Sequence, residues 1–458
     1  MAEGDMGKPK RQGVLFEDLY DKPVSVEFTG PHQSSDGGVL LLDALDRKLG
    51  LIHRMTQAIR DSRQSGKVTY SMESLLRERI FAIACGYPKC DDADRLAHDP
   101  ALKMVCNLRD GRLASQPTLS RFENDIRRTD LFRMGLAITD TVIEAESRKR
   151  IPRKVRCITI DMDPTEDPTY GDQQLTFFNA FYDNWCYLPM ITTLQFDDDT
   201  DQIQVAPVLR PGNAKGSLGA IGILKRLVTR LHKSFPFATL VVRMDGAFAT
   251  PEVFTWLEDN DLLYLINMSK NSILKGRAAS LMRQVRKEAL RTGRTATLYG
   301  ETSYRAGKWK KKRRAVIKAE VVQLEGREPR DNPRFVITNL SLTPQNVYRY
   351  YRGRGDAENR IKELHYDLRF DLTSCTSFKA NQLRNLLTGA AYALFQQLRH
   401  KVRRTDLARA QVGTLRNRLV KVAAVIKESV RRIVVVLPET FAWYDLWTRL
   451  ARGLGAVP

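Results

Sequence analysis

The amino-acid sequence predicts an α/β protein whose central strand domain carries an antiparallel β insertion and lies between two helical segments. Three observations predict this class. From Arg156 onward, apolar strands alternate with amphipathic helices, which is the pattern of an α/β domain. Over 268–342 this pattern changes to longer strands of the antiparallel kind. Before residue 150 and beyond residue 343, apolar residues recur mainly at helical spacing.

The composition describes a basic, globular chain. Its 458 residues suffice for two or three domains, and 74 Lys and Arg against 53 Asp and Glu give a net charge of +21. This excess indicates a polyanionic partner such as DNA, the alternative being a basic protein kept soluble by its charge. No window reaches the ~20 apolar residues of a membrane span, and no apolar run follows the basic N-terminus. Six cysteines without a C-x-x-C pair favour reduced thiols in the cytoplasm over a zinc site.

A long basic helix is the main feature predicted near the N-terminus. Ser115 and Pro117 open this helix over 115–145, and Arg121 lies on its polar side. With the segment 70–97 it forms either a helix-turn-helix-like element that reads a DNA end or an ordinary bundle with a cationic face. The other elements predicted here are a strand over Val24–Phe28 and helices after Ser34–Gly38, over Ser71–Cys85 and around Asp91–Ala97.

Acidic residues lie at the ends of two predicted strands in the central domain. Residues 157–163 alternate between apolar and polar side chains, so Asp161 and Asp163 share one face of a strand that ends at Pro164. A buried strand of the parallel kind ends at Asp245, and functional acids occupy such carboxyl ends in α/β domains. The remaining predictions are strands over Phe177–Tyr182, Leu188–Phe196, Val205–Leu209 and Leu262–Ile266, and helices over Ile221–Ser234 and Pro251–Asn260.

A basic turn lies within the predicted insertion. We expect Lys310, Lys311 and Lys312 to contact DNA phosphates at this turn. Trp309 beside them either stacks on a base or is simply packed or exposed within the protein. The strands predicted around this turn are Thr295–Tyr304, Arg313–Leu324 and Arg334–Thr338.

The helix after the insertion carries a polar stripe made of Arg354, Glu358, Lys362 and His365 at helical spacing. This stripe is either a solvated salt-bridge ladder or a metal-ligating carboxylate flanked by phosphate-binding cations. The residues predicted to face the core are Ile361, Leu364 and Leu368. Further helices are predicted over Phe378–His400 and, as one or two basic helices, within Leu407–Arg432, and the aromatic residues after Phe441 are expected to close a core.

Three acids far apart in the sequence predict one catalytic centre. Asp163, Asp245 and Glu358, in a chain of this charge, would hold two divalent cations ~3.5–4 Å apart. One cation would activate a water or a 3′-hydroxyl for attack on a phosphodiester, and the other would neutralise the leaving oxygen. Carboxylate ligands suit Mg²⁺, with Mn²⁺ able to substitute. Asp161 is either a further ligand or a supporting acid on the same strand face.

Four segments together resemble a known group of enzymes: residues 161–165, 167–171, 243–246 and 351–363. They resemble the bacterial insertion-sequence DDE transposases whose RNase H-like catalytic domain is interrupted by a β insertion before its glutamate. The insertion sequence thirteen-eighty group, related to the insertion sequence four group, is the subgroup that the chain resembles most. The resemblance covers roughly residues 30 to 400.

The resemblance carries roles to particular residues. Tyr351, Arg354 and Glu358 fall on the signature Y-x-x-R-x-x-x-E-x-x-x-x-x-x-K, in which the first two grip DNA and the third completes the metal site. The lysine position is occupied by His365, and neutral imidazole is a poorer phosphate ligand, so Lys362 one turn closer is a candidate substitute. The family's D-x-T spacing favours Asp163 over Asp161 as the first acid.

The resemblance also implies an activity and partners. A homodimer would bind double-stranded DNA at the terminal inverted repeats and cleave the ends with Mg²⁺ and water. It would then join the 3′-OH ends to target DNA, through hairpin ends as in the group. The alternatives are an RNase H-like nuclease or resolvase without strand transfer, and a non-catalytic DNA-binding protein.

The expected regions follow from these patterns and the resemblance. They are a disordered tail over 1–13, a helical DNA-binding domain over 14–150, an RNase H-like core over 151–267, the β insertion over 268–342, the second part of the core with the glutamate helix over 343–400, and a basic helical region over 401–458.

Overall fold

The structure, a computed structural model, describes residues 14–16, 21–27, 32–108 and 110–457. The predicted tail over 1–13 lies outside these ranges, as does Phe28 of the first predicted strand. Within the described ranges, every helix falls short of the length and apolar character that a bilayer span requires.

Short strands and then helices make up the N-terminal third. The predicted helix over 115–145 is wrong in one respect, because it is two helices separated at Ile126. Ile126 has extended backbone with ψ of 141° and is 4% exposed, so turning its side chain into the core interrupts the helix. The elements are β1 (Val14–Phe16), β2 (Val24–Val26), β3 (Gln33–Ser34), α1 (Val39–Leu49), α2 (Leu51–Gln57), α3 (Met72–Cys85), α4 (Ala93–Leu96), α5 (Pro100–Val105), α6 (Gln116–Asp125) and α7 (Arg128–Lys149).

A mixed sheet forms the centre of the molecule, as the alternation of strands and helices predicts. The elements of this part of the chain are β4 (Cys157–Pro164), β5 (Asp167–Pro168), β6 (Phe177–Asn179), β7 (Asn184–Tyr187), β8 (Met190–Phe196), β9 (Ile203–Gln204), α8 (Ala220–Ser234), β10 (Thr239–Met244), α9 (Pro251–Asp259), β11 (Leu263–Met268), α10 (Ser272–Thr292), β12 (Ala296–Tyr304), β13 (Arg313–Val322), β14 (Arg330–Asp331) and β15 (Arg334–Thr338). The strand order is β12-β13-β15-β11-β10-β4-β8-β9, with β14 also paired to β13.

The direction of the central strands matters for the site. β4, β10 and β11 are parallel neighbours, and on the other side of β4 the strand β8 runs antiparallel both to β4 and to β9. The strand predicted over Val205–Leu209 is reduced to a single bridge between Met190 and Val208 beyond β9. β5, β7 and β6, which lie between β4 and β8 in the sequence, form a separate small antiparallel sheet.

The predicted insertion extends this same sheet. β15 pairs antiparallel with β11, and β13 and β12 follow outward as antiparallel strands. The long helix α10 precedes these strands and packs against β12 and β13, and the sequence analysis did not identify it. The insertion therefore shares its backbone hydrogen bonds with the central domain.

The glutamate-bearing helix and a long buried helix follow the insertion as α11 (Pro344–Arg352), α12 (Arg354–Leu368) and α13 (Phe378–Lys401). Leu364 and Leu368 are buried as predicted, and Ile361 is partly buried. α13 packs against α1, α3, α6 and α7, so the N-terminal helices and the catalytic region share one core.

The C-terminal region differs from the prediction of one or two basic helices within Leu407–Arg432. The structure has α14 (Val412–Leu415), β16 (Ala424–Glu428), β17 (Ile433–Val436) and α15 (Tyr444–Gly453). β16 and β17 form a hairpin rich in β-branched residues, which favour strands, and β16 pairs with β3 near the N-terminus. Trp443 and Trp447 pack against the core, as expected of the C-terminal aromatic residues.

Candidate active site

Two of the three predicted acids end neighbouring parallel strands. β10 pairs with β4 so that Met244 lies opposite Met162. Asp245 follows Met244 on one strand, and Asp163 follows Met162 on the other. Parallel strands are about 4.8 Å apart, so both carboxylates emerge at the same edge of the sheet. The Asp245 side chain accepts a hydrogen bond from the Ala247 backbone N–H at 2.9 Å, which fixes it at the turn.

Glu358 reaches this edge through Arg354, one helical turn before it. The Arg354 guanidinium donates to Asp163 Oδ2 at 2.7 Å and to Glu358 Oε1 at 2.6 Å. One arginine therefore joins the strand acid to the helix acid. Tyr351 lies on the preceding helix and donates its hydroxyl to the Met244 carbonyl at 3.3 Å, which ties α11 to the end of β10.

The electrostatics of these groups are coupled. Burial raises the pKa of Asp163 to about 7, with Arg354 opposing this and the negative charges of Asp245 and Glu358 adding to it. For Arg354, burial lowers the pKa, but Asp163, Asp245 and Glu358 outweigh it, so the pKa lies above its ordinary value. All three predicted acids therefore act on the same guanidinium.

Asp161 has a different place from the one predicted for a metal ligand. It is 2% exposed and lies beneath the edge, where both its oxygens accept from Arg243 at 2.6 and 2.7 Å. Arg243 also donates to the Tyr350 carbonyl at 2.5 Å and to Gln195 Oε1 at 3.1 Å. Asp161 is thus the partner of a buried arginine, which corrects its assignment as a ligand and agrees with the supporting-acid alternative.

The donor set of the site suits a hard divalent cation, because it consists of carboxylate oxygens. As the side chains lie, no three Asp, Glu, His or Cys residues of the described ranges are arranged to hold a metal ion. At this edge of the sheet, the guanidinium of Arg354 lies between Asp163 and Glu358 and pairs with both carboxylates. A cation and Arg354 would compete for the same oxygens, so the residues fit a metal once this arginine moves.

The remaining residues of the predicted stripe have distinct surroundings. Lys362 is exposed on α12. His365 lies with Nε2 3.0 Å from Thr165 Oγ1, two residues beyond Asp163. Burial lowers the pKa of His365, which favours the neutral imidazole at neutral pH. Of the two, Lys362 is the side chain that presents a permanent positive charge to solvent.

The basic turn of the insertion divides into exposed and buried parts. Lys310, Lys311 and Lys312 are exposed, and Lys311 also pairs with Glu258 at 2.9 Å. Trp309 is 4% exposed and packs against Phe254 and other aromatic rings of the core. The packed alternative therefore holds for Trp309, and its ring does not face solvent for stacking on a base.

Arg121 lies on α6, in the N-terminal helical region. It is exposed, and its guanidinium lies 3.4 Å from Thr118 Oγ1 of the same helix. The structure thus places Arg121 on an exposed surface of α6. Its predicted contact with DNA remains a prediction.

Two residues of the site were missed by the sequence analysis. Arg243 interrupts the apolar run before Asp245, and a charge inside a buried strand signals a buried partner. Tyr182 is the second. Burial, with the negative charges of Asp163 and Asp245 adding to it, raises the pKa of Tyr182 to about 12. The sequence predicts Tyr182 only as the last residue of a strand over Phe177–Tyr182, whereas β6 ends at Asn179 and Tyr182 lies in the turn before β7.

Comparison with known proteins gives one family assignment. The search of curated proteins found no match. The model of the family described as transposase DDE domain group 1 matches residues 16–457, almost the whole chain. The match includes both strand-end acids and Glu358. The chain therefore belongs to the transposase DDE domain group 1 family.

Proposed function

We propose that the chain is a DNA transposase that binds the terminal inverted repeats of an insertion sequence, cleaves their ends and joins the 3′-OH ends to target DNA. One observation carries this proposal beyond the family match. Asp163 and Asp245 end adjacent parallel strands, and Arg354 links Asp163 to Glu358 at the same edge. Three carboxylates at one edge of a basic protein suit metal-dependent cleavage of a phosphodiester.

Asp163, Asp245 and Glu358 would hold Mg²⁺ or Mn²⁺, two ions per site, in this proposal. Bound there, the ions supply an activated water or 3′-hydroxyl and neutralise the charge on the leaving oxygen. Asp161 is outside the ligand set, since Arg243 occupies both of its oxygens. Catalysis would rest on positioning and charge neutralisation.

The cations around the acids would bind the DNA backbone. Arg354 would transfer from the carboxylates to a phosphate, and Tyr351 at the end of α11 would contact the same DNA end. The exposed Lys362 would act in place of the signature lysine, whose position His365 occupies. Lys310, Lys311 and Lys312 would contact phosphates further along the duplex, and Arg121 would contribute from α6. Phosphate contacts of this kind position the protein without reading sequence.

We further propose that the central sheet is an RNase H-like core interrupted by an insertion, and that the enzyme belongs to the insertion sequence thirteen-eighty group. The order β9-β8-β4-β10-β11, in which β8 is antiparallel to its two neighbours and β4, β10 and β11 are parallel, supports the core assignment. The regional division predicted from the sequence, the hairpin ends, the homodimer on DNA and the cytoplasmic, DNA-associated location belong to the same proposal.

Arg354 provides a prediction about metal affinity. Replacing Arg354 with Gln removes a positive charge from between Asp163 and Glu358, so Mn²⁺ should bind about tenfold more tightly in the absence of DNA. Titration calorimetry or electron paramagnetic resonance of Mn²⁺ would measure this. Arg352→Gln, an exposed arginine of the preceding helix, is the control that should have a smaller effect. Unchanged or weaker Mn²⁺ binding by the Arg354 variant would contradict the competition.

Strand transfer separates the proposed transposase from its rivals. We expect the protein, with Mg²⁺, both element ends and a target plasmid, to produce joined DNA from ends that carry a 3′-OH. Cleavage without joining would indicate a nuclease or resolvase. Binding without cleavage under any divalent ion would indicate a DNA-binding protein whose acids are structural.

A further inference from the structure

The hairpin formed by β6 and β7, residues Phe177–Tyr187, exposes an unusual number of aromatic rings. Phe178 is 49% exposed, Phe181 is 86% exposed and Trp185 is 54% exposed. Phe178 and Trp185 lie opposite each other across the two strands, and their ring centroids are 6.3 Å apart in an edge-to-face arrangement. Large exposed apolar surfaces that are clustered in this way mark interaction sites. We call this segment the aromatic hairpin.

The aromatic hairpin is held in place by hydrogen bonds to the rest of the fold. Asn179 Nδ2 donates to the Gly212 carbonyl at 2.8 Å, and Asn184 Nδ2 donates to Glu166 Oε1 at 3.0 Å. A Cβ added at Gly212 would lie 2.0 Å from the Cys186 carbonyl oxygen, so the loop and the hairpin are in close backbone contact. The exposed rings are therefore presented by a fixed element.

The aromatic hairpin is paired with the chain that continues from Asp163. Asp167 and Pro168 of β5 follow Asp163 closely in the sequence and pair with Tyr187 and Cys186 of β7. The charges of Asp163 and Asp245 add to the effect of burial in raising the pKa of Tyr182, in the turn of the hairpin. The ring of Phe181 packs edge-to-face on Tyr182 with centroids 4.9 Å apart. The chain then leads from β7 to Pro189, whose carbonyl accepts from the Thr165 N–H at 3.0 Å, two residues beyond Asp163. A ligand on the exposed rings would thus adjoin whatever occupies the acid site.

We propose that the aromatic hairpin is a stacking surface for unpaired nucleobases next to the phosphate held at the carboxylates. The inference rests on the proposed function, because it takes DNA as the occupant of the site. Bases in an intact duplex stack on each other, whereas an unpaired base offers both faces to an aromatic ring. Phe178, Phe181 and Trp185 offer exposed aromatic rings, and the net charge of +21 of the whole chain favours a polyanion such as DNA as the partner.

Such a surface gives the site a preference for DNA whose end is open. The strand-end acids need access to a phosphate, and bases that leave the duplex to stack on the hairpin would let the backbone approach the edge of the sheet. The preference would be independent of base sequence, since every base has a π face. Trp185 and Phe178, paired across the strands, form the centre of the surface.

The test compares binding to two DNA probes without divalent ions. One is a blunt duplex, and the other is the same duplex with a short unpaired extension of thymidines. Fluorescence anisotropy should show that the wild-type protein prefers the unpaired probe. Trp185→Ala should bind the unpaired probe about tenfold more weakly and the blunt duplex with unchanged affinity. Phe178→Ala should act in the same direction, and Trp185→Tyr should retain most of the preference because it keeps a ring.

The matched control is Phe237→Ala, since Phe237 is 68% exposed and precedes β10 at the opposite end from Asp245. Equal wild-type affinity for both probes, or an equal loss in the Phe237 variant, would overturn the inference. A Trp185→Ala protein with altered self-association and unaltered DNA binding would also overturn it, in favour of a second copy as the occupant. Selective binding of the unpaired probe by a protein that never cleaves DNA would leave the surface standing and reject the transposase proposal.

Discussion

Replacing Asp163 or Asp245 with Asn, or Glu358 with Gln, is expected to reduce Mg²⁺-dependent cleavage of element ends by at least about a thousandfold. Each substitution removes one negative charge and one carboxylate oxygen ligand while keeping the size of the side chain. The carbonyl oxygen of the neutral amide that replaces the carboxylate binds a hard cation more weakly than the carboxylate does. Cleavage of a labelled end fragment, measured with each variant under the same conditions, gives the size of the loss.

Binding to the same fragment distinguishes a chemical role from a structural one. All three variants should bind DNA ends with nearly the wild-type affinity, because the cations that contact the backbone are intact. Asp198→Asn is the matched control, since Asp198 is an exposed acid remote from the strand-end edge, and it should cleave normally. Retained cleavage in the Asp163, Asp245 or Glu358 variant would remove that residue from the site.

Replacing Arg243 with Met is expected to lower the free energy of unfolding by about 3–5 kcal/mol. Arg243 and Asp161 are 1% and 2% exposed at their side chains, so the variant leaves the Asp161 carboxylate buried without its partner. The same variant loses the bond to the Tyr350 carbonyl, which helps to hold α11 against the sheet. Denaturant or thermal unfolding followed by circular dichroism measures the change, and cleavage should fall because α12 follows α11 directly.

A second substitution identifies the cause of this destabilisation. If the unpaired carboxylate is responsible, Arg243→Met combined with Asp161→Leu should be more stable than Arg243→Met alone. Arg291→Met is the control, because Arg291 forms an exposed pair with Glu288 and its loss should have little effect. A double variant that is no more stable than the single one would show that packing of Arg243, and not its charge, accounts for the loss.

Local sequence patterns predicted that Asp163 and Asp245 end strands, but they did not predict which side chains meet across the sheet. Asp163 and Asp245 could be identified because strand alternation and a buried apolar run each end in an acid, and such ends meet in parallel sheets. The partner of Asp161 could not be predicted, since Arg243 is distant in the sequence and meets it only through the pairing of β4 and β10. Local patterns report which face a residue occupies but not which residue lies opposite it.

Tertiary packing overrode local propensity in several places. The stretch Leu407–Arg432 was predicted as one or two basic helices, and it is helical only over Val412–Val420, whereas Ala424–Glu428 forms β16, which pairs with β17 and with β3 from the N-terminal region. The helix predicted over 115–145 is interrupted because Ile126 turns into the core. Trp309 is buried for the same kind of reason, since it packs on Phe254 of α9, which is distant in the sequence, as well as on the nearby Tyr304 of β12.

The position of a bound cation tests the central claim most directly. Crystals of the protein with a DNA end, grown with Mn²⁺ under conditions that prevent cleavage, would locate the metal by its anomalous scattering. We expect Mn²⁺ within about 2.2 Å of oxygens from Asp163, Asp245 and Glu358, with Arg354 moved onto a phosphate and Asp161 still paired with Arg243. Mn²⁺ bound at Asp161, or bound away from this edge of the sheet, would contradict the account.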